Sequence, residues 1–376
     1  MIRGAGIQNS PPLIKGARGN FTAFINDKKL FMIKILIINS SPEKNSLLAH
    51  ACKELAQKNF SFNSLTSKNP RLGQFKFIFL LISLRLKREA DLAVCFNFNE
   101  KIIITPLARL LGLKVIWLES PELNYQKFNK FLLALYKLNC RLAKIIVFNS
   151  YSKLKLKNIG CRENKINLIA PGTKFTSYQE NIFNKLASAG RVNFHRKYFT
   201  VGAITALNQK QKIETIFQAI KICLPVIPNI QLIIIGEGEE RRNLTWLAKK
   251  MEIDNLIWLV GEQEQLKKWL DSFDIFLAPG ENLSLDDYGN ILEAMAAGLP
   301  VLAPRNIGLE DLVVENNTGS LIESDNSEML ARQIIKLHQD KRLRLFLGKN
   351  GQERISRSFT LEIMVNKLAQ AFSISS

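Results

Sequence analysis

A chain of 376 residues, 47% of them hydrophobic, is long enough for two or three globular domains. Its five cysteines and three histidines are scattered, which argues against a disulfide framework or a structural zinc site. The net charge of +19 is concentrated in one half, because residues 1–200 contain 33 Lys or Arg but only 10 Asp or Glu. This asymmetry says more about the partners of the protein than about its fold.

The first 31 residues differ from the rest of the chain. They are rich in Gly, Pro and Asn and show no apolar period, whereas a buried strand pattern starts directly after Met32. We therefore expect residues 1–31 to be a disordered leader, or Met32 to be the true first residue. No apolar run reaches the ~18 residues that span a bilayer, and no signal-peptide pattern is present. We expect a cytoplasmic protein, with peripheral attachment to the inner face of the membrane as the alternative.

Strand and helix patterns alternate between residues 32 and 175. Continuous apolar runs separated by longer helical patterns are typical of a parallel sheet that helices cover on both faces. The predicted strands are 33–39, 91–96, 114–119, 144–149 and 166–170, and the predicted helices are 45–58, about 102–112 and 124–142. Residues 176–197 are predicted to be a linker.

A second alternation fills residues 198–360. The predicted strands are 198–204, 231–236, 256–261, 274–279 and 300–304, and the predicted helices are about 212–223, 239–250, 264–272, 290–298 and 327–339. Residues 361–376 are predicted to contain a last amphipathic helix. Two doubly wound domains of this kind leave a cleft between the carboxyl edges of their sheets, which is a favoured position for a ligand.

A glycine pair is a weak candidate for ligand binding. Gly236 and Gly238 follow a predicted strand and precede a predicted helix. Glycines at such a turn let a ligand approach the backbone, and the helix start offers amides to an anion. The alternative is that they only end the strand, as most such glycines do.

The stretch ENLSLDDYGNILEAMAAGLPVLAP, residues 281–304, is the stronger candidate. We expect its helix to begin at Gly289 and Asn290, so that their amides face a phosphate. Glu293 lies one turn further on, and a carboxylate can accept hydrogen bonds from both vicinal hydroxyls of a ribose. The alternative is that Glu293 only complements the helix dipole.

From about residue 198 onward, four stretches together form a specific pattern: VGAITALNQKQK, IIIGEGEERR, WLVGEQEQL and DDYGNILEAMAAGLPVLAP. With them, this part of the chain resembles the nucleotide-binding half of retaining GT-B glycosyltransferases of the family four type, also called glycosyl transferases group 1. This resemblance implies an α/β fold of two Rossmann-like domains that face a cleft. It also implies transfer of a sugar, expected to be a hexose, from a nucleoside-diphosphate sugar to a glycan or lipid-linked acceptor of the cell surface. The resemblance implies no metal cofactor.

The resemblance also assigns roles to individual residues. Glu293 would hold the ribose, and Lys210 or Lys212 would neutralise the departing diphosphate. The amides expected to meet that diphosphate are those of Gly289, Asn290 and Ile291. The other expected donor contacts are Gly202, Gly236 and Gly238, with Gly261, Glu262 and Gln263 beside the base.

Departures from the family pattern keep a second function open. The acid that normally lies near the sugar is replaced by Leu285, and the nearest acids are Asp286 and Asp287, which we take as the catalytic candidates. Ala203 stands where the family has a phosphate-binding Arg. The first half also lacks the usual Gly-Gly loop, and VIWLESPE (115–122) stands where many relatives carry a His near a Glu. The alternative is therefore a catalytically impaired relative that binds a sugar nucleotide or a membrane.

The segment from Leu123 to Arg162 has nine Lys or Arg and no acid. Cations at helical spacing predict a basic amphipathic helix over residues 124–144, which can lie on anionic lipid. The alternative is an ordinary cationic solvent face. The cations are Lys127, Lys130, Lys137, Arg141 and Lys144, and the apolar residues expected on the other side are Phe128, Phe131, Leu135, Leu138 and Leu142. Nucleic acid is a rival partner, but the chain has no zinc-finger, RNA-recognition or helix-turn-helix pattern, so we expect no specific nucleic acid.

Overall fold

The computed structural model describes residues 33–39, 46–66, 83, 89–123, 125, 128–175, 198–208, 210–278, 280, 283–305 and 308–374. The leader predicted over 1–31 and the linker predicted over 176–197 lie outside these residues. Both therefore stay predictions.

The first sheet has six parallel strands in the order β2-β1-β3-β4-β5-β6. Alternate side chains of its central strands enter two apolar clusters, as Trp117 and Leu118 do on β4, so these strands are buried on both faces. That explains the continuous apolar runs in the sequence. The strands are β1 (Ile33–Asn39), β2 (Phe60–Thr66), β3 (Leu92–Cys95), β4 (Lys114–Glu119), β5 (Lys144–Val147) and β6 (Ile166–Leu168), and the helices are α1 (Ser46–Ala56), α2 (Phe98–Leu110), α3 (Lys130–Asn139) and α4 (Ser150–Asn158).

The second sheet has six parallel strands in the order β12-β11-β10-β7-β8-β9, a doubly wound arrangement. Two further apolar clusters cover its faces. The predicted fold class, two Rossmann-like doubly wound domains, is confirmed. The strands are β7 (Phe199–Ile204), β8 (Ile230–Ile235), β9 (Ile257–Leu259), β10 (Ile275–Leu277), β11 (Val301–Pro304) and β12 (Gly319–Ile322), and the helices are α5 (Lys210–Cys223), α6 (Arg241–Lys250), α7 (Leu266–Leu270), α8 (Leu285–Ala296), α9 (Ser327–Gln339) and α10 (Lys341–Ser358).

The last helix, α11 (Leu361–Ile374), returns to the first domain. Its apolar side chains join the cluster that α1 and β1 form. Just before it, the backbone at Thr360 pairs with Thr173, and the Leu361 amide donates to the Thr173 carbonyl oxygen at 2.8 Å. A Cβ at Gly172 would lie 2.4 Å from the Thr360 carbonyl oxygen, so only glycine permits this approach. The return of the chain to the first domain is therefore held by backbone contacts.

The basic helix differs from its prediction in extent and in orientation. Helix α3 begins at Lys130, because the Asn129 side chain caps it by accepting the Leu132 amide at 2.8 Å. The expectation that its apolar residues all lie opposite the cations is wrong. The side chains of Phe131 and Leu138 are 70% and 58% exposed. The buried side of α3 is formed instead by Leu132, Leu133, Tyr136 and Asn139.

Across the described ranges, no helix is both long and apolar enough to span a bilayer.

Candidate functional site

The candidate residues of the second domain meet at one edge of its sheet. The strand order reverses between β7 and β10, and doubly wound sheets hold their ligands at the carboxyl ends of such strands. The loops after β7, β8, β9 and β10 all reach this edge, and α5 and α8 begin there. Segments that are distant in the sequence are thereby brought together.

Helix α8 begins at Leu285. The predicted start at Gly289 is therefore wrong. The Ser284 hydroxyl oxygen accepts the Asp287 amide at 3.2 Å, and the Asp287 carboxylate accepts the Ser284 amide at 2.8 Å. This reciprocal pair is a capping box, and its signal S-x-x-D is present in the sequence. Gly289, Asn290 and Ile291 consequently lie inside the helix, where amides bond to carbonyl groups four residues back. The amides of these three residues are therefore not free to donate hydrogen bonds to a phosphate.

The two catalytic candidates in the first turn of α8 have different surroundings. Asp287 is committed to the cap, since its carboxylate also accepts the Ser284 hydroxyl at 2.8 Å. Burial raises the pKa of Asp287, although its bonds to Ser284 and the charge of Lys212 favour the ionised form. Asp286 is half-buried and lies outside the capping box. A catalytic role of Asp287 would therefore compete with its role in the cap.

Glu293 is the most unusual carboxylate of this edge. It is half-buried on α8 between the buried residues Leu292 and Ala294, and no described residue gives its carboxylate a hydrogen bond or an ion pair. Burial raises the pKa of Glu293 above its ordinary value. Glu293 is the ninth residue of α8, whereas the helix dipole acts within the first turn. A partly desolvated acid without a partner is typical of a functional site.

Of the two candidate lysines, Lys212 has a described side chain. It extends over the end of β10, because a Cβ at Gly280 would lie 2.5 Å from its Nζ. Its charge also acts on Asp287, at the start of α8. Lys212 further lines a cavity of about 120 Å³ between α5, α9 and the ends of β10 to β12. The side chain of Lys210 lies outside the described residues.

Gly236 and Gly238 hold two loops of the edge together. A Cβ at Gly236 would lie 1.9 Å from the Thr205 carbonyl oxygen, and one at Gly238 would lie 2.4 Å from the Asn208 side-chain oxygen. That same oxygen accepts the Glu239 amide at 3.3 Å, before α6 begins. These contacts favour the alternative that both glycines only end the strand. Contact of either glycine with a ligand stays a prediction.

The remaining candidates differ in their access to a ligand. Gly202 lies inside β7, where a Cβ would come within 2.0 Å of the Phe273 ring. The glycine therefore makes room for this ring to pack against the strand. Gly261 adopts a left-handed φ of 76°, and its carbonyl oxygen accepts the amide of the glycine that follows β8 at 3.0 Å. Glu262 and Gln263 come next and are exposed. The loop after β9 therefore offers exposed polar groups at the edge.

The first domain carries a buried ion pair that the sequence analysis did not identify. At the end of β4, the Glu119 carboxylate lies 2.8 Å from Lys101 Nζ and accepts the Tyr136 hydroxyl at 2.8 Å. Both charged side chains are 1% exposed. Glu119 lies in the stretch VIWLESPE (115–122), one of the departures from the family pattern. In this chain its carboxylate is bound inside the first domain.

Comparison with known proteins agrees with this geometry. Residues 187–354 match the family of glycosyl transferases group 1. Lipopolysaccharide core biosynthesis glycosyltransferase LpsE of Rhizobium meliloti (strain 1021) is 28% identical over 144 residues, which are 38% of this chain and 42% of that protein. Amylovoran biosynthesis glycosyltransferase AmsK of Erwinia amylovora is 25% identical over 222 residues, which are 57% of this chain and 52% of that protein. The match spans about half the length of these relatives.

A solved structure shows the same arrangement of both domains. Anabaena Alr3699/HepE in complex with UDP matches 91% of this chain and 100% of its own, with a TM-score of 0.73 and 18% sequence identity. The fold is therefore the two-domain GT-B fold.

Because no described residue pairs with the half-buried Glu293 carboxylate, we expect replacement of Glu293 to increase the stability of the protein. Because the folded-state pKa of Glu293 is raised, its charge destabilises the ligand-free protein above the unfolded value of 4.5, and this penalty disappears below that pH. Glu293→Gln should therefore raise the melting temperature at pH 7 and leave it unchanged below pH 4.5. Differential scanning fluorimetry at both pH values measures this. Glu328→Gln, on an exposed side chain, is the control and should have no such effect. A lower melting temperature for Glu293→Gln at pH 7 would show that the carboxylate has a partner inside the protein.

Proposed function

We propose that the protein transfers a sugar, with retention, from a nucleoside-diphosphate sugar to a glycan or lipid-linked acceptor in cell-surface polysaccharide synthesis. The observation that carries the proposal is the half-buried Glu293 carboxylate, which lies without a described partner at the ligand-binding edge of a nucleotide-binding fold. The family match of residues 187–354 supports transfer of a glycosyl group. The complex of Alr3699/HepE with UDP supports a nucleoside diphosphate as the common part of the donor.

The donor would lie across the carboxyl edge of the second sheet. Its ribose hydroxyls would donate to Glu293, and its base would face the loop of Gly261 and Gln263. The Lys212 ammonium would face the diphosphate and stabilise the negative charge that develops as the sugar leaves. The amides of Leu285 and Asp286 have no carbonyl partner within α8, so they replace the amides of residues 289–291 as donors for the phosphates. No step is assigned to a metal.

The acceptor is inferred from the relatives. LpsE is named for lipopolysaccharide core biosynthesis and AmsK for amylovoran biosynthesis. The names of such relatives refer to polysaccharide biosynthesis. A growing glycan, free or on a lipid, is therefore the acceptor that we propose.

Nucleotide binding tests the donor site. UDP, GDP and ADP are titrated calorimetrically into the protein and into Glu293→Ala, with Glu328→Ala as an exposed control. One nucleotide should bind, and Glu293→Ala should weaken its binding by about 1.5–3 kcal/mol, as for a lost charged hydrogen bond. The control should bind like the parent protein.

Two other results of this titration would contradict the proposal. If none of the three nucleotides binds, the donor site is wrong. If Glu293→Ala binds as tightly as the parent protein, the role of Glu293 is wrong. Tight binding without turnover of any nucleotide sugar would favour the catalytically impaired alternative.

The exposed side of α3 is proposed to contact an anionic membrane. This basic face combines cations with apolar side chains: Lys130, Phe131, Lys137 and Leu138 on the helix, and Arg141 and Leu142 in the turn that follows it. The pairs 130/131 and 137/138 lie seven residues apart, so they share one side of the helix. Apolar side chains that point outward among cations fit an interface of acyl chains and anionic headgroups. Such contact would bring the first domain to a lipid-linked acceptor.

Vesicle binding tests the basic face. The variant Phe131→Ser/Leu138→Ser should lose about tenfold or more in binding to vesicles that contain phosphatidylglycerol, because two apolar side chains no longer insert. Co-sedimentation measures the bound fraction. Leu345→Ser/Phe346→Ser on α10 is the matched control, since these side chains are 62% and 54% exposed, and it should bind like the parent protein. Equal binding of both variants would contradict a membrane role for α3, and salt-sensitive retention on DNA without vesicle binding would favour nucleic acid.

A further inference from the structure

The two domains meet beside the candidate donor site through a buried hydrogen bond. Asn149 follows β5 in the first domain, and Tyr288 lies on α8 directly after Asp287. The Asn149 side-chain Nδ2 donates to the Tyr288 hydroxyl oxygen at 2.7 Å. Asn149 is 2% exposed and Tyr288 is 3% exposed. Water is therefore excluded from this contact, which strengthens it.

The chain encloses this pair from a further side. A Cβ at Gly308 would lie 2.5 Å from the Tyr288 hydroxyl oxygen and 3.0 Å from Asn149 Nδ2, so the backbone of the second domain closes over both groups. The Tyr288 hydroxyl oxygen is the atom that accepts the hydrogen bond from the first domain.

A second contact joins the same helix start to the second domain. The Ser150 amide, the first of α4, donates to the Asp311 carboxylate at 2.6 Å. A carboxylate at a helix N-terminus also interacts favourably with the helix dipole. Arg354 fixes the loop of Asp311 by donating to the Asp311 carbonyl oxygen at 2.8 Å. The start of α4 is thus held to the second domain by one side chain and one amide.

We propose that Asn149 and Tyr288 are a positioning pair that holds α8 at a fixed distance from the acceptor domain during sugar transfer. The pair acts through α8, on which Asp287 directly precedes Tyr288 and Glu293 follows it by five residues. This inference rests on the proposed function. Transfer requires the donor and the acceptor to be held in one geometry, and small displacements slow it strongly. Leu285 of α8 also packs into the apolar cluster of α1. Breaking the Asn149–Tyr288 bond therefore lets the Tyr288 side of α8 shift relative to the first domain, without removing any group of the donor site.

Two variants remove the hydrogen bond and keep the local structure. Tyr288→Phe deletes only the hydroxyl group. Asn149→Ser deletes the donor but keeps a side chain that can cap α4, as Asn149 does by accepting the Ser152 amide at 2.7 Å. Tyr151→Phe is the matched control, because Tyr151 lies on α4 and its ring contact with a lysine needs no hydroxyl.

The experiment combines kinetics, nucleotide titration and small-angle X-ray scattering on the full chain. Both variants should lower kcat about two- to twelvefold, the value of one hydrogen bond, with the donor KM within about twofold. Both should show a larger radius of gyration than the parent protein and unchanged affinity for the nucleotide. The double variant should be no worse than the single variants, because both remove the same bond. Tyr151→Phe should match the parent protein in every measurement.

Other outcomes overturn the positioning role. A parent-like kcat and radius of gyration in Tyr288→Phe and Asn149→Ser would show that the bond positions nothing. A nucleotide affinity that falls together with kcat would place the pair in the donor site itself. If the parent protein binds no nucleotide, the proposed function fails. The scattering comparison still decides in that case whether the bond holds the domains together.

Discussion

The candidate site is positioned by the packing of helix α8 against the second sheet. The capping box of Ser284 and Asp287 sets where the helix starts, and the buried side chains of Ile291, Leu292 and Met295 set which side it turns inward. A helix is stiff over such a length, so these contacts also determine the position of Glu293. That carboxylate is held half-buried without a described partner, at a cost in stability that a bound ribose would offset. Residues that favour a ligand over stability are common in binding sites.

The same helix connects the chemistry of the second domain to the first domain. At the back of the molecule, the backbone pairing of Thr173 with Thr360 and the packing of α11 against α1 keep the domains together. At the cleft, the Asn149–Tyr288 bond and the Ser150–Asp311 bond join α4 to α8 and to the loop that follows β11. The contacts at the back involve backbone groups and a large apolar surface. At the cleft, Leu285 of α8 also packs into the apolar cluster of α1, so hydrogen bonds and apolar contact together hold α8 against the first domain.

Much of the fold could be predicted from the sequence, because strands buried on both faces are continuous apolar runs. Residues 33–39 and 114–119 are strands with the predicted bounds. The strands β2 and β12 were missed, and both are edge strands, which are covered less and tolerate polar residues or short runs. The start of α8 was misplaced because Gly289 was taken as a helix start, although the capping signal lies five residues earlier. The exposure of Phe131 and the pairing of Asn149 with Tyr288, 139 residues apart, depend on tertiary contacts that leave no local signal.

The role proposed for Glu293 is to bind the ribose of a nucleoside diphosphate. A crystal structure of the protein with UDP, GDP or ADP, whichever binds, would show the surroundings of the Glu293 carboxylate. Both ribose hydroxyls should lie within hydrogen-bond distance of this carboxylate, with the diphosphate between the start of α8 and Lys212. A nucleotide bound elsewhere, with the Glu293 carboxylate turned to solvent or paired with a donor from the protein, would contradict this role.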